Sequence, residues 1–474
     1  MIPNSALSKV WVRKILLSIG WIWRRCMFRT TFIAVSGSVG KSTCKELIGE
    51  VLGSQFPTVR TLGNENHFRG VTRSLLRVLP WHKYAVIEIG LDGPGQMAAF
   101  ANVVRPDIAV WVNVARTHTM NFRNLETTAQ EKAKLVESLR PGGVAVLNDD
   151  NPYIAAYQPP AHVRTIYYGS TERSSFRPSR IGGHWPERLS LCVSAQGEEV
   201  PVSTRFVGDH WVPSILPAFV VGKLCGLSLE SAASAISKYE PLPMRMSPVV
   251  LPNGATLLRD ELNGSVDSLA AALRVMEHAK ATRKMIVFTD VADSKEKPRK
   301  RLRDMGTKVA GIADAAIFLG EHSEHAVKAA IAAGMRADQI WSYYNVEEVA
   351  LRLRAELRAG DLVLLRGRTC DHLARLYLGM TRDVTCWKNT CDKSVKGGVK
   401  PDHWGGEKVD HSTGWRCLSL KELRGWLERR PATRVAGRVL GRSGSRPRNL
   451  APRVEGGDYE RGLAGRFCLL SLSR

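Results

Sequence analysis

The chain has 474 residues, of which 44% are apolar and 24% are charged, so it can fill the cores of two or three globular domains. This composition excludes a protein that is disordered throughout. The formal net charge of +23 fits nucleic acid, an anionic membrane or a polyphosphate ligand, so charge alone does not select a class of partner. Nine scattered cysteines and the lack of a typical signal-peptide pattern predict a reducing, cytoplasmic setting.

Residues 1–30 are predicted to form a basic and apolar N-terminal helix. Its apolar stretch, Ile15 to Trp23, is only nine residues long and has basic residues on both sides. A helix that crosses a bilayer needs about 20 apolar residues, so a membrane span is excluded for this stretch. The pattern predicts a helix packed on the first domain, with peripheral contact to an anionic membrane as the alternative.

From residue 31 onward, apolar strands alternate with amphipathic helices, which is typical of an α/β fold with a mostly parallel sheet. Residues 164–206 have a β-like pattern and residues 212–239 a helical one. Prolines at positions 241, 243 and 248 predict a hinge, after which a second, Rossmann-like alternating unit begins. We therefore predict a central domain at 31–240, a C-terminal domain at 241–385 and a basic, poorly ordered tail at 386–474. The strands expected are 31–35, 84–89, 108–113, 144–147, 256–259, 285–288, 315–319 and 362–365, and the helices 41–52, 268–279 and 346–358.

The strongest functional signal is the segment from Phe32 to Thr43, which has the pattern of a strand, a glycine turn and a helix start. Such a turn lets backbone N–H groups surround phosphate oxygens at the positive end of a helix. Lys41 would add positive charge, and the hydroxyl of Ser42 could bind Mg²⁺. The loop is a shortened phosphate-binding pattern, G-x-x-G-K-S-T. Its predicted nucleotide-binding residues are Gly37, Ser38, Val39, Gly40, Lys41, Ser42 and Thr43.

Further motifs follow the loop in a defined order. They are Asn64-Glu65-Asn66 with Gly70, Val86 to Gly90 with Pro94-Gly95, Pro106-Asp107-Ile108, Asn113-Val114, His118 with Phe122, Glu126, Lys132, Asn148-Asp149-Asp150, Arg259 to Asn263 with Ser268, and Gly360 to Gly367. In this order they resemble the Mur ligase family over residues 31 to about 380. The last two motifs, in the second unit, resemble the branch that adds D-alanyl-D-alanine to a UDP-muramoyl tripeptide.

The resemblance implies a central ATP-binding domain, a C-terminal α/β domain, and one or two Mg²⁺ ions. Ser42 and Glu88 would hold the first metal, which prefers hard oxygen ligands. His118 would be a further metal or positioning ligand. Lys132 lies in a run, Glu131 to Lys134, whose composition indicates an ordinary solvated helix face. The resemblance instead implies that Lys132 is carbamylated and binds a second Mg²⁺.

The resemblance also assigns residues to the nucleotide and the amine. Asn148 and Asp149 would contact the adenine, although the same residues favour a simple turn after a strand. Arg245, in the hinge, would move towards the phosphates as the second domain closes. Asp260 and Asn263 would hold the nucleotide or the incoming amine.

These features predict an ATP-dependent, ADP-forming ligase that activates a carboxylate as an acyl phosphate and joins it to an amine. The alternatives are a polyglutamate-type ligase, a P-loop ATPase or switch without ligase activity, and a catalytically inactive binding protein. Only about thirty residues precede the loop, so we expect the domain that grips a UDP-sugar to be absent. Thr289 to Asp293 and Leu262 also differ from the resembling branch. We therefore expect a different substrate pair, with a peptide or modified sugar acid as the carboxylate and an amino acid or dipeptide as the amine, and no nucleic-acid partner.

Overall fold

The computed structural model describes residues 4–116, 122, 124–262, 264–291, 294–382, 384 and 386–387, with side chains from residue 15 onward and none at 369. Two predicted site residues, His118 and Asn263, lie outside this part of the chain. So does the predicted tail, apart from residues 386 and 387.

The first sheet contains, within the described residues, nine strands in the order β2-β3-β1-β4-β5-β6-β7-β8-β9. Neighbouring strands are parallel from β2 to β7, whereas β8 is antiparallel to both of its neighbours, β7 and β9. The strands are β1 (Thr31–Ser36), β2 (Thr58–Arg60), β3 (Tyr84–Glu88), β4 (Ile108–Trp111), β5 (Val144–Asn148), β6 (Arg164–Tyr168), β7 (Phe176–Gly182), β8 (Ser190–Ala195) and β9 (Glu198–Ser203).

Helices cover both faces of the parallel part of this sheet, so its strands are apolar on both sides. In β1, Ile33 and Val35 join one core cluster, while Phe32 and Ala34 join a second cluster on the opposite face. The helices are α1 (Asn4–Cys26), α2 (Lys41–Gly53), α3 (Phe68–Leu76), α4 (Gln96–Val104), α5 (Leu125–Glu137), α6 (Pro152–Ala155), α7 (Val212–Leu224) and α8 (Leu229–Lys238).

The second sheet has six strands in the described part of the chain, in the order β10-β11-β15-β12-β13-β14, and only β10 is antiparallel to its neighbour. Its strands are β10 (Ser247–Val250), β11 (Thr256–Asp260), β12 (Arg283–Phe288), β13 (Ala315–Leu319), β14 (Ile340–Tyr343) and β15 (Asp361–Arg366). Its helices are α9 (Val266–His278), α10 (Pro298–Ala310), α11 (Glu324–Ala332), α12 (Val346–Glu356) and α13 (Ala374–Thr381). The predicted α/β class with two mostly parallel sheets is confirmed, while the exact boundary at residue 240 stays a prediction.

Two features differ from the sequence expectations. The helical stretch at 212–239 is two helices, because Gly226 adopts a φ of 89° and Ser228 caps the start of α8 with its side chain. Helix α10 was not predicted, because it is strongly basic and its buried positions are only Leu302, Met305, Gly306 and Val309.

The N-terminal helix packs on the first sheet's helices, as predicted. The indole of Trp23 donates a hydrogen bond to the carbonyl of Val78 at 2.9 Å. The guanidinium of Arg24 is buried and donates to the carbonyls of Val104 and Arg105, each at 2.8 Å. Among the described residues, no helix is long and apolar enough to cross a membrane.

The packing of α10 against α11 depends on a glycine. A Cβ built on Gly306 would lie 2.1 Å from the carbonyl oxygen of Ala326. We expect Gly306→Ala to lower the thermal unfolding temperature by about 2–8 °C, because the clash outweighs the better helix propensity of alanine. Gly311→Ala is the matched control, since the nearest atom to its Cβ would be 4.0 Å away. Equal unfolding temperatures for the two variants, measured by circular dichroism, would contradict this account of the packing.

Candidate active site

The predicted nucleotide site lies at the carboxyl ends of the parallel strands in the first sheet. The phosphate loop follows β1, Glu88 ends β3 and Asn148 ends β5. In the sheet, β1 lies between β3 and β4, and Val35 is paired with Glu88. Parallel strands place their carboxyl ends at one edge, which is where open α/β sheets bind ligands. The order of strands therefore brings together groups that are far apart in the sequence.

The loop from Gly37 to Gly40 is held by residues from other elements. The side-chain oxygen of Asn113 accepts hydrogen bonds from the backbone N–H groups of Ser38 and Val39, at 2.9 and 3.0 Å. Gly40 has a φ of 78°, and a Cβ there would lie 2.4 Å from the hydroxyl of Ser214 in α7. This hydroxyl donates to the carbonyl of Gly40 at 3.3 Å. Only glycine satisfies both the backbone angle and the close approach.

Two lysines converge on this loop. Lys41 donates from Nζ to the carbonyl of Ser38, and Lys132, from the middle of α5, donates to the carbonyl of Gly37, each at 2.8 Å. Burial lowers the pKa of Lys41 to about 8, even though the carboxylate of Glu88 opposes the shift. Burial, and then the charge of Lys41, lower the pKa of Lys132 well below its usual value.

The position of Lys132 corrects the interpretation of its segment as a solvated helix face. Both Glu131 and Lys132 are buried, at 4% exposure each. Glu131 accepts a hydrogen bond from the backbone of Met97 at 2.9 Å and pairs with the ammonium of Lys134 at 2.6 Å. The prediction from composition was wrong because charged residues in a helix usually face solvent, whereas this turn of α5 packs against α4 and the phosphate loop.

Glu88 has the features of a metal ligand. The Oε1 atom accepts hydrogen bonds from the hydroxyl of Ser42 at 3.0 Å and the amide of Asn66 at 2.7 Å. The Oε2 atom is fully buried and has no hydrogen-bond partner among the described residues; the ammonium of Lys45 lies 3.9 Å away. A buried carboxylate oxygen beside a hydroxyl fits Mg²⁺, which binds hard oxygen ligands.

Arg245 reaches this cluster from the segment between the two sheets. The NH2 group donates to the hydroxyl of Ser42 at 3.3 Å and to the side-chain oxygen of Asn64 at 3.2 Å. Met244 and Met246, on either side, have φ values of 61° and 51°, which are unusual for residues other than glycine. The backbone therefore adopts a strained conformation where the arginine points towards the phosphate loop.

Asn148 and Asp149 already have partners within the first domain. Asn148 donates to the carbonyl of Val112 at 2.8 Å. Asp149 accepts hydrogen bonds from Arg173, at 2.9 Å from Nε, and from the hydroxyl of Thr171. Although burial opposes it, the bonds from Arg173 and Thr171 lower the pKa of Asp149. Both residues support the turn after β5, and their contact with adenine stays a prediction.

Asp260 pairs with a residue that sequence reasoning did not assign to the site. Arg366, at the end of β15, is 1% exposed and forms a salt bridge with Asp260. The same guanidinium donates to the carbonyl of Ser265 at 3.0 Å and to the hydroxyl of Ser268 at 2.6 Å. The Oδ1 atom of Asp260 accepts from the backbone N–H of Met246 at 3.1 Å. Arg366 therefore joins β11, β15 and α9 to the segment that carries Arg245.

Other contributors were also missed as site residues, although the motifs contained some of them. Asn64, Asn66 and Asn113 hold Ser42, Glu88 and the loop backbone, respectively. Lys45 is fully buried and donates to the carboxylate of Glu46 and to the carbonyl of Thr61. The signal available in the sequence was that each asparagine belongs to one of the motifs that resemble the family and lies in a segment between a strand and a helix.

A separate cavity of about 270 Å³ lies at the carboxyl ends of β12, β13 and β15 in the second sheet. Its polar wall includes Asp290, which pairs with Arg301 at 2.6 Å, and Asp371, which pairs with Arg368 at 2.8 Å. The hydroxyl of Thr289 donates to Asp371. Thr289 and Asp290, from the segment that differs from the resembling branch, line this cavity, and their side chains pair with Asp371 and Arg301.

Comparison with known families agrees with this geometry. The Mur ligase middle domain matches residues 35–222, and the Mur ligase glutamate ligase domain matches residues 244–369. The chain belongs to the Mur ligase family. Mur ligases are ATP-dependent, ADP-forming ligases that form an amide bond between an acid and an amino acid, and this chain is an enzyme of that class.

Curated relatives and solved structures show the same resemblance. The UDP-N-acetylmuramoyl-tripeptide–D-alanyl-D-alanine ligase of Escherichia coli is 28% identical over 379 residues, which cover 77% of this chain and 80% of the relative. The Bacillus subtilis enzyme of the same name is 24% identical, covering 71% and 73%. MurF from Acinetobacter baumannii shares the fold with a TM-score of 0.70 and 21% sequence identity; the match covers 78% of this chain and 80% of that one. MurF ligase from Thermotoga maritima in complex with ADP has a TM-score of 0.67 and 18% identity, and the match covers 77% of this chain and 83% of that one.

The pKa of Lys41 predicts how this Mur ligase binds ATP as the pH changes. Phosphate favours the charged lysine, so the pKa rises when ATP binds. The affinity for ATP therefore has its full value below about pH 8 and falls as the pH rises above the pKa of Lys41 in the free protein. At pH 8 we expect Lys41 to take up about half a proton per ATP bound, measured by calorimetry in buffers with different ionisation enthalpies.

Lys41→Arg is the control, because arginine stays protonated throughout this range. The proton uptake of the native protein should exceed that of the variant by the contribution of Lys41. Equal uptake in both proteins would contradict the assignment of a lowered pKa to this lysine.

Proposed function

We propose that this Mur ligase activates the carboxylate of a peptide or modified sugar acid as an acyl phosphate and joins it to an amino acid or dipeptide. The observation that carries the proposal is the convergence of Lys41, Lys132 and Arg245 on a phosphate loop beside the buried carboxylate of Glu88. A site that only held a nucleotide would have less need for cations supplied by three separate elements.

The chemistry explains why such a cluster is required. A carboxylate that attacks the γ-phosphate of ATP brings like charges together, so catalysis depends on positioning and on cations around the transferred group. Lys41 and Arg245 would neutralise phosphate oxygens at the start of α2. Each donates at present to an oxygen of the protein, and these hydrogen bonds can be exchanged for bonds to phosphate.

Ser42 and Glu88 are the residues that would hold Mg²⁺. When bound, the ion would neutralise charge that develops on the transferred phosphate. Asn66 holds Glu88 through its hydrogen bond to Oε1, and Oε2 has no hydrogen-bond partner among the described residues, so it would be free to bind the ion. In the present arrangement, Arg245 bonds to the same serine hydroxyl that the ion would use.

Contacts between the two sheets' domains support a role for domain closure. The carboxylate of Asp267, at the start of α9, accepts a hydrogen bond from the backbone N–H of Arg116. Lys295 donates to the carbonyl of Phe122 at 3.4 Å. Closure of this kind excludes water, which would otherwise hydrolyse an acyl phosphate, and brings the amine to the activated carbonyl.

The substrates are proposed to differ from those named for the relatives, which are a UDP-N-acetylmuramoyl tripeptide and D-alanyl-D-alanine. The support is the cavity of the second sheet, where Thr289 and Asp290 are engaged with Asp371, Arg301 and Arg368. Thr289 and Asp290 belong to the segment, Thr289 to Asp293, whose sequence departs from the resembling branch. A cytoplasmic location stays a prediction from the sequence.

Phosphate release from ATP and Mg²⁺ tests the ligation. The native chain is given pooled carboxylate donors, including UDP-muramoyl peptides and γ-glutamyl peptides, together with amino acids or dipeptides. We expect release that requires both a donor and an amine, and that falls at least about a hundredfold in Lys41→Ala because a charge on the transferred phosphate is lost. Lys300→Ala, an exposed lysine on α10, is the matched control and should keep full activity.

The outcomes separate the candidates. Release that needs no amine would contradict the proposal and favour an ATPase or switch. Activity with UDP-muramoyl tripeptide and D-alanyl-D-alanine alone would overturn the proposed substrates while keeping the ligase. Activity with γ-glutamyl donors and glutamate would identify a polyglutamate-type ligase.

Lys132 is further proposed to carry a carbamate. A neutral amine is needed to attack CO₂, with loss of a proton, and burial beside Lys41 favours the neutral form. The product would be a carboxylate-like group beside the loop, able to bind a second Mg²⁺. The competing role is structural, in which the ammonium only holds the carbonyl of Gly37.

Incubation with ¹³C-labelled bicarbonate distinguishes these roles. We expect a carbamate resonance in the native protein that is missing in Lys132→Arg and present in Lys134→Arg, a control two residues away with a half-exposed side chain. Removal of CO₂ should lower the ligase rate of the native protein reversibly. A resonance that persists in Lys132→Arg, or a rate insensitive to CO₂, would leave Lys132 with the structural role.

A further inference from the structure

A basic cavity of about 230 Å³ opens at the amino ends of the first sheet's parallel strands, whereas the phosphate loop lies at their carboxyl ends. It lies where β1 and β4 begin, beside the end of α1, and Thr31 and Asp107 belong to its wall. Since the nucleotide site is at the carboxyl ends of the same strands, the two sites are separated by the length of the sheet. The charged groups in its described lining are Arg24, Arg25, Arg29, Arg105 and Arg140 against the carboxylate of Asp107.

Most of this positive charge is not neutralised. Arg24 and Arg140 both pair with Asp107. Arg25, Arg29 and Arg105 have no carboxylate partner among the described residues. Desolvation, and then the charge of Arg105, hold the pKa of Arg25 below its usual value. The cavity therefore has several guanidinium groups available to an anion, and phosphate is the anion that such groups bind through paired N–H donors.

An exposed apolar strip adjoins the cavity. Ile15, Ile19 and Ile22 are 55%, 43% and 57% exposed, and their spacing places them on one face of α1. Phe28, just beyond the helix, is 81% exposed and also lines the cavity. The opposite face of α1 packs against the domain, since a Cβ built on Gly20 would lie 3.3 Å from Leu75 and 3.4 Å from Val103.

We infer that this face binds an anionic membrane, with the phosphate of a lipid head group in the arginine cavity and the isoleucine strip at the acyl boundary. An amphipathic helix with basic residues lies in the membrane interface in this manner. Charge favours this occupant over a second copy of the chain, because a symmetric contact would bring the same arginines together. The inference does not depend on the ligase substrates, since the cavity and the nucleotide site are at opposite edges of the sheet.

Sedimentation with lipid vesicles tests the inference on the full chain. We expect binding to vesicles of phosphatidylcholine with phosphatidylglycerol, and much weaker binding to phosphatidylcholine alone. Arg25→Gln/Arg29→Gln should reduce partitioning to the anionic vesicles about thirtyfold, since each basic residue near such a surface contributes comparably. Ile15→Ser/Ile19→Ser should reduce it at least about tenfold.

Matched controls on the second sheet's helices separate this site from the overall positive charge. Arg299→Gln/Arg303→Gln removes the same charge from exposed positions on α10, and Ile331→Ser removes a 41% exposed isoleucine from α11. Both controls should bind as the native chain does. All variants should keep the native unfolding temperature and ligase activity, because the changed side chains are partly or fully exposed and remote from the phosphate loop.

Several results would overturn the inference. Equal binding to neutral and anionic vesicles would show that the arginine cavity does not bind an anionic head group. An equal loss of vesicle binding in the α10 control would show that only the net charge of the protein matters. Native binding that inorganic phosphate abolishes at constant ionic strength would identify a soluble phosphate compound as the ligand. Self-association lost in the isoleucine variant, without vesicle binding, would make the face an interface between copies.

Discussion

The excess of cations over carboxylates at the phosphate loop governs the arrangement of the active site. Lys41, Lys132 and Arg245 come from α2, α5 and the segment between the sheets, and the carboxylate of Glu88 acts on both Lys41 and Arg245. Oxygen atoms of the protein accept the hydrogen bonds of these cations. Two loop carbonyls accept from the lysines, and the side-chain oxygen of Asn113 accepts from two backbone N–H groups of the loop. Under the proposed function, a nucleotide would exchange these hydrogen-bond partners for phosphate oxygens.

This arrangement also links the two sheets. Arg245 touches Ser42 in the first domain, and the next residue, Met246, donates its N–H to Asp260 in the second. Asp260 is fixed in turn by Arg366, which holds the start of α9. A shift of the second sheet relative to the first would therefore move the Arg245 cation with respect to the hydroxyl of Ser42. Domain position and the charge around the phosphate are coupled through a short chain of contacts.

Sequence patterns predicted the parts of this structure that depend on local or family-wide signals. The strand, glycine turn and helix of the phosphate loop were placed within a residue, because β1 is apolar on both faces and the glycines interrupt it sharply. The environment of Lys132 was not predictable from its neighbours, since burial of α5 depends on α4 and on a loop 95 residues earlier. The same limit applies to Arg366, whose partner Asp260 lies in a different strand. Pairing between distant charged residues leaves no periodic pattern in either segment.

The contact between Gly40 and Ser214 has a consequence for the order in which the enzyme matures. The phosphate loop is synthesised early, but the hydroxyl that fits against Gly40 and bonds to its carbonyl comes 174 residues later, in α7. Helix α7 also packs along α2, which carries Lys41 and Ser42. During translation, the loop therefore emerges from the ribosome long before the helix that gives it its shape. A nascent chain that has not yet released α7 possesses every residue of the phosphate-binding motif and lacks the support that makes it a nucleotide site.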